Sequence, residues 1–187
     1  MVTISMLWLP IVLSAVAVFI ASSVMWMLAP HHKGDWRGFS NEAAVADALR
    51  AGGAAPGQYM LPHHGYDRNA MKSPEFQQKL TTGPVAYVTV GPNGPPPMAV
   101  NMIWTFLVTL FVSLVVGYIG HWTLRQGIDS GRIWRVIGAS ALLGYTTGGL
   151  ANAIWFQTPR STMAKNIFDG IVYAAITAAI FCWLWPA

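Results

Sequence analysis

The histidines of this chain are its best candidates for metal binding, because four of the five form two adjacent pairs. Imidazole nitrogens and carboxylate oxygens bind zinc and copper(II), and a site needs three or four of them in fixed geometry. The spacing of the pairs matches no recognised ligand pattern. We therefore favour surface histidines and expect no cofactor, with metal binding as the alternative. The candidate ligands are His31, His32, His63 and His64, with Asp35, Met60 and Asp67 near them in sequence.

Asp169 is the acidic residue of the last apolar run of the sequence, residues 167–185. An acid within a membrane segment is costly, so it is a functional hypothesis by default. Lys165 lies four residues earlier, and Asp169 falls in the predicted first turn of the helix, where the helix dipole favours an anion. The sequence therefore favours a structural role for Asp169, as a cap or an ion pair with Lys165. Proton or ion handling is the alternative.

The composition is that of a membrane protein. Of the 187 residues, 54% are hydrophobic and 10% are charged, whereas soluble domains carry about a quarter charged residues. Four apolar runs are long enough to cross a hydrocarbon core of roughly 30 Å, and most of the tryptophans lie near their ends, as in an interfacial belt. The sequence predicts an all-α integral membrane protein with four transmembrane helices. The predicted spans are residues 7–29, 99–121, 136–156 and 167–185.

Residues 30–98 separate the first two spans and predict a small α/β domain outside the membrane. Ser40 or Asn41 can cap a helix that starts at Glu42, and Ser73-Pro74-Glu75 is a typical helix start. Residues 58–61 and 85–90 are short β-prone runs that can pair as a minimal sheet. A domain of this size makes a marginal independent fold.

Small residues recur every four positions in the third and fourth spans. In lipid, helices associate through close van der Waals contact, which small residues allow. We therefore expect the two spans to pack as a tight hairpin, and this interpretation is favoured over a ligand channel. The predicted packing residues are Ser140, Gly144, Gly148 and Asn152 in the third span, and Gly170, Ala174 and Ala178 in the fourth.

The basic charge of the chain does not indicate nucleic-acid binding. The net charge is +4, but the eleven basic and seven acidic residues form no run, so contact with membrane lipids explains the charge better. The sequence has no GxSxG, Walker, GxGxxG or HExxH motif. We therefore expect no enzymatic activity and no nucleic-acid partner.

Four sets of short stretches carry a resemblance to known proteins: residues 42–50, 58–62, 73–80 with 83–84, and 168–170 through 183–186. Together they resemble a family of small, uncharacterised bacterial inner-membrane proteins with four helices. The resemblance implies a multi-pass protein of the bacterial inner membrane. It supplies no activity, cofactor or site residue.

Three functions fit these features. The first is a non-enzymatic accessory or assembly component of a larger membrane complex, with other membrane subunits or further copies of itself as partners. The second is a small oligomeric transporter or channel-like protein, which usually needs several polar groups at mid-membrane. The third is a membrane protein that binds metal through the paired histidines. The absence of a catalytic motif and the helix-packing stripes favour the first.

Overall fold

The computed structural model describes residues 2–187, which form two compact units. One unit holds the residues up to Trp36 together with Pro97–Ala187, and the other is Arg37–Pro96. The helices of the first unit are α1 (Trp8–Met27), preceded by a 3₁₀ turn at Ile4–Leu7, and α5 (Met98–Thr123), α6 (Ser130–Trp155) and α7 (Arg160–Trp183). The second unit contains α2 (Glu42–Ala51), β1 (Gly57–Leu61), α3 (Arg68–Lys72), α4 (Pro74–Thr82) and β2 (Ala86–Val90).

Within residues 2–187, three helical stretches are long and apolar enough to cross a membrane: Ile4–Met27, Met98–Thr123 and Arg160–Leu184. The chain is thus built as a membrane protein. Helix α6 has 26 residues, the same length as α5. Its many glycine, serine and threonine residues lower its hydropathy, so it is not among the three. The predicted fourth span, residues 136–156, stays a prediction.

The four long helices pack as a bundle in which α1 and α6 each contact both α5 and α7. Val116, Ile137 and Phe181 are almost completely buried in its core. Polar contacts also join the helices: the Ser14 and Ser113 hydroxyls lie 3.2 Å apart between α1 and α5. Such hydrogen bonds help to fix helix pairs where the surroundings are apolar. The packing brings the end of α1 beside α7.

The small residues predicted on the fourth span do form a close helix contact. Gly170, Ala174 and Ala178 are all buried on α7. A methyl group built on Gly170 would lie 2.5 Å from Cγ2 of Thr146 on α6, and one built on Gly138 of α6 would lie 3.5 Å from Cβ of Ala178. This face of α7 therefore approaches α6 closely.

The stripe predicted on α6 does not face α7 as expected. A methyl group on Gly144 would meet Val112 of α5 at 2.9 Å, and one on Gly148 would meet no atom within 4 Å. Ser140 donates its hydroxyl proton to Val136 O on its own helix, and Asn152 is exposed. Steps of four residues advance about 40° around a helix of 3.6 residues per turn. The four residues therefore do not share one contact face, because Gly144 lies against α5 and Gly148 lies at open surface.

The helices of the second unit begin where their capping residues predict. The side chain of Asn41 accepts a hydrogen bond from Ala44 N at 3.1 Å, which starts α2. The hydroxyl of Ser73 accepts one from Phe76 N at 3.2 Å, which starts α4. Each bond satisfies an amide that the first helical turn leaves without a partner. The two predicted helices are confirmed.

The two predicted strands pair as an antiparallel sheet, with Gly57 opposite Val90 and Leu61 opposite Ala86. The second unit starts later than the predicted extramembrane domain. Residues 30–36 belong to the helical unit, and the second unit begins at Arg37. The domain predicted over 30–98 is therefore shorter, and the segment it loses carries the first histidine pair.

Candidate metal centre

A short turn after α1 positions the first histidine pair. Pro30 opens a 3₁₀ turn over Pro30–His32, where a fixed φ and a missing N–H cost little. Lys33 N donates to Pro30 O at 3.2 Å, and Asp35 N donates to His32 O at 3.0 Å. The turn folds the His32 ring onto the indole of Trp26, with ring centroids 4.0 Å apart and planes within 9°.

The carboxylate of Asp169 on α7 binds both histidines of this pair. His31 Nε2 lies 3.0 Å from Asp169 Oδ1, and His32 Nε2 lies 2.8 Å from Asp169 Oδ2. The side chains of His32 and Asp169 are each 4% exposed, and that of His31 is 28% exposed. The cluster is therefore almost completely buried, and the His31 side chain is its partly exposed member.

A second carboxylate, Asp35, orders the cluster from the other side. His32 Nδ1 donates to Asp35 Oδ2 at 2.6 Å. The other oxygen, Oδ1, accepts hydrogen bonds from Lys165 Nζ at 2.6 Å and from the Thr162 hydroxyl at 3.3 Å. Because both nitrogens of His32 face carboxylate oxygens, its ring has a fixed orientation. Asp35 and Asp169 together fix it.

The charges of these groups shift two pKa values outside the membrane-spanning helices. Burial lowers the pKa of His32, but the hydrogen bonds and negative charges of Asp35 and Asp169 outweigh that effect and raise it overall. The hydrogen bonds from Lys165 and His32 lower the pKa of Asp35 to about 2. In the absence of a metal ion, the arrangement therefore favours a protonated His32 between two carboxylates.

The side chains of His31, His32 and Asp169 are of the types that bind transition metals. The ligand atoms of His31, His32 and Asp169 all lie within 4.8 Å of one another. Bonds of about 2.1 Å in tetrahedral geometry place ligand atoms roughly 3.4 Å apart, so the hydrogen-bonded distances of 2.8 and 3.0 Å must widen slightly. A metal-bound histidine usually donates its other ring N–H to a carboxylate, and Asp35 accepts such a bond from His32.

The second predicted pair, His63 and His64, lies in the second unit. The two rings stack on each other with centroids 5.9 Å apart, and Gly65 N donates to His63 Nδ1 at 3.3 Å. Within residues 2–187, the group of His, Cys, Asp and Glu side chains close enough to hold a metal ion consists of His31, His32 and Asp169. The structure therefore brings only the first pair together with a carboxylate.

The ion pair predicted between Asp169 and Lys165 is not formed. Lys165 pairs with Asp35, and Asp169 binds the two histidines. Helix α7 begins at Arg160, seven residues earlier than predicted, so Asp169 lies beyond the first turn, where the helix dipole has little effect. Its negative charge is balanced by His32 instead.

The sequence shows Asp35 near the first pair but reveals neither its role nor that of Trp26. The spacing of His32 and Asp35, three residues apart just after an apolar run, was one available signal. The other signal was Asp169, because an acid within an apolar run needs a buried partner. No family model, curated protein or solved structure matches this chain.

Proposed function

We propose that this membrane protein binds one divalent transition-metal ion through His31, His32 and Asp169, at the end of α1. The observation that carries the proposal is the convergence of two imidazoles and one carboxylate from opposite ends of the chain. Two nitrogen ligands with one carboxylate oxygen suit Zn²⁺, Fe²⁺ or Mn²⁺.

The surrounding residues support binding of a metal ion over a purely electrostatic cluster. Asp35 accepts a hydrogen bond from His32 Nδ1, which leaves Nε2 as the nitrogen directed at Asp169. Lys165 balances the charge of Asp35, so a divalent cation that replaces the proton on His32 Nε2 faces the negative charge of Asp169 and leaves the cluster with one net positive charge. Three protein ligands leave a fourth position for water or a substrate, as in open metal sites.

Metal binding by the purified full-length protein tests the proposal. After treatment with EDTA and its removal, the protein in detergent is titrated with Zn²⁺ against a competing chelator, and bound metal is measured by mass spectrometry. We expect one Zn²⁺ per chain, with binding lost in His32→Ala and in Asp169→Ala. The matched control is the double variant His63→Ala/His64→Ala, which changes the other pair and should bind as the unchanged protein does.

Two outcomes contradict the proposal. One is the absence of stoichiometric binding to the unchanged protein, which would make the cluster a metal-free charge network. The other is binding that the His63→Ala/His64→Ala variant loses and the Asp169→Ala variant keeps. Thermal unfolding of each variant shows whether a loss of binding reflects a loss of fold.

The cellular setting is a further part of the proposal. Residues 42–50 and 73–80 resemble a family of bacterial inner-membrane proteins, which supports the bacterial inner membrane as the location of this protein. The three apolar helices support a protein that crosses this membrane several times. An accessory role in a larger membrane complex fits the same features. Immunoprecipitation from solubilised membranes, compared between the unchanged protein and Asp169→Ala, tests whether a partner subunit depends on the metal site.

A further inference from the structure

A groove of about 330 Å³ runs between α6 and α7. Its floor consists of small residues, Gly138 of α6 with Ala174 and Ala178 of α7, because the two helices approach closely here. Leu142 and Ile171 line the groove with exposed side chains. The groove therefore lies on the outside of the helical unit, on a face that lipid covers when α7 crosses a membrane.

One end of the groove is cationic and the rest is apolar. Arg135, in the second turn of α6, is the charged residue of the lining, and the exposed indole of Trp134 lines the same end. The other lining residues are all glycine, alanine, leucine or isoleucine. From Arg135 to Leu142 the groove follows α6 for about 10 Å. A ligand that fills it must combine a negative charge with an apolar chain.

The guanidinium of Arg135 has no anionic partner within residues 2–187. Its Nε donates to Gly131 O of the same helix at 3.0 Å, and its two terminal nitrogens donate no hydrogen bond to the described chain. These nitrogens are therefore free for a ligand. A guanidinium can bind a phosphate group through two parallel hydrogen bonds, so phosphate suits this end of the groove.

Two further arginines reinforce the positive charge at this end. Arg125 and Arg132 are exposed and form no ion pair in the part of the chain that the structure describes. The acidic residue of this segment is Asp129, whose carboxylate caps α6 by accepting a hydrogen bond from Gly131 N at 2.8 Å. Residues 125–135 thus carry three arginines and one aspartate, and this surface attracts an anion.

The arginines lie level with one end of α7, which is apolar and long enough to cross a membrane. Cys182 Sγ, near the end of α7, donates to Ser130 O at the start of α6 at 3.4 Å. Trp185 Nε1 donates to Arg125 O at 3.0 Å. Lipid headgroups lie at the ends of a transmembrane helix, where tryptophan is also enriched. From this end the groove runs along α7 toward the depth at which acyl chains lie.

We infer that the groove binds an anionic phospholipid, with its phosphate on Arg135 and one acyl chain along the small residues between α6 and α7. Arg125 and Arg132 favour an anionic headgroup over a zwitterionic one. A soluble anion would leave the apolar part of the groove empty. A symmetric dimer with parallel copies would bring the arginines of both copies to the same level, where like charges repel. The lipid site shares no residue with the metal-binding cluster.

Lipid binding to the purified full-length protein tests the inference. The protein in a non-ionic detergent with EDTA is titrated separately with dioleoyl phosphatidylglycerol and dioleoyl phosphatidylcholine, which differ in headgroup and not in acyl chains. Native mass spectrometry counts the lipids bound to each chain. We expect one phosphatidylglycerol per chain, bound at least fivefold more tightly than phosphatidylcholine. Because EDTA removes metal ions, failure of the proposed metal binding leaves this result unaffected.

Two arginine variants test the proposed contact with the phosphate. Arg135→Gln should weaken the binding of phosphatidylglycerol about fivefold, the factor that one basic residue near an anionic headgroup contributes, and leave that of phosphatidylcholine unchanged. The matched control is Arg160→Gln, which removes the same charge from an exposed position at the start of α7, outside the groove. It should bind phosphatidylglycerol as the unchanged protein does.

A second pair of variants tests the apolar part of the groove. Ala139→Phe adds bulk at an exposed lining position and should abolish the tight binding of phosphatidylglycerol. Its control is Leu143→Phe, at an exposed position of the same helix outside the groove, which should leave binding unchanged. The thermal unfolding midpoint of every variant is measured alongside. If Ala139→Phe lowers it, the two arginine variants decide the outcome.

Three results overturn the inference. The first is equal affinity of the unchanged protein for the two lipids. The second is an equal loss of phosphatidylglycerol binding in Arg135→Gln and Arg160→Gln, which would indicate attraction to the overall charge of the protein and no defined site. The third is a lipid-free dimer that Ala139→Phe dissociates, which would mean that a second copy of the chain fills the groove.

Discussion

Asp169 and His32 lie 137 residues apart in the sequence, and a hydrogen bond of 2.8 Å joins their buried side chains. The bond fastens the turn after α1 to helix α7, and Thr162 and Lys165 of the same helix bind Asp35. Removing one member of such a buried network leaves charged groups without partners, which costs more than the bond itself contributes. The segment 30–36 is thereby held to the helical unit.

The variant Asp35→Asn tests whether Asp35 orders and polarises the ligand His32. Asparagine keeps the shape of the side chain but removes the negative charge that faces the His32 Nδ1–H and Lys165. Loss of such a supporting carboxylate weakens metal binding by about 10- to 100-fold. Competition titration with Zn²⁺ measures this loss. The control is Asp47→Asn, which disrupts an exposed ion pair with Arg50 and should leave the affinity for Zn²⁺ as it is.

Most helices of both units could be predicted from the sequence. Helices α2 and α4 begin at Asn41 and Ser73 because a single side chain caps each start, and such local chemistry can be read from the sequence. The apolar runs of α1, α5 and α7 depend on length and hydropathy alone. These elements were therefore predictable.

The candidate site depends on contacts between distant parts of the chain, which the sequence does not encode locally. Two equivalent histidine pairs were visible, and nothing near either pair says that Asp169 lies beside His31 and not beside His63. Lys165 lies one helical turn before Asp169, which predicts an ion pair between the two, but Lys165 binds Asp35, which is 130 residues away in the sequence. Similarly, which neighbour Gly144 faces depends on where α5 packs.

Thermal stability of the metal-free protein should depend on pH through His32 and Asp35. The raised pKa of His32 means that its contribution to stability is complete below its unfolded pKa of about 6.5 and is lost as pH rises through the raised value. The lowered pKa of Asp35, about 2, means that its contribution is present above its unfolded pKa of about 3.9 and is lost as pH falls toward 2.

We therefore expect the unfolding midpoint in EDTA to be highest between about pH 4 and 6.5 and to fall at higher pH. Added Zn²⁺ should reverse the trend above pH 6.5, because a metal ion replaces the proton on the ligand nitrogen. Unfolding followed by tryptophan fluorescence between pH 5 and 9 measures both curves. A metal-free midpoint that rises steadily over this range would contradict the expected protonation of His32, and His32→Ala should flatten the decline.

The contact between α6 and α7 gives the last prediction, which concerns Gly170. A methyl group at this position would lie 2.5 Å from Thr146 Cγ2 and 3.3 Å from Tyr145 O. Thr146 cannot turn aside freely, because its hydroxyl donates to Leu142 O at 2.6 Å. Gly170→Ala should therefore force α6 and α7 apart and lower the free energy of unfolding by about 1–3 kcal/mol.

The matched control for Gly170→Ala is Gly148→Ala, which adds the same methyl group to α6 at a point with no atom within 4 Å. Alanine has the higher helix propensity, so this variant should be neutral or slightly more stable. Thermal unfolding in detergent with EDTA compares the two without any effect of metal binding. A smaller loss of stability in Gly170→Ala than in Gly148→Ala would mean that α7 does not contact α6 through this face.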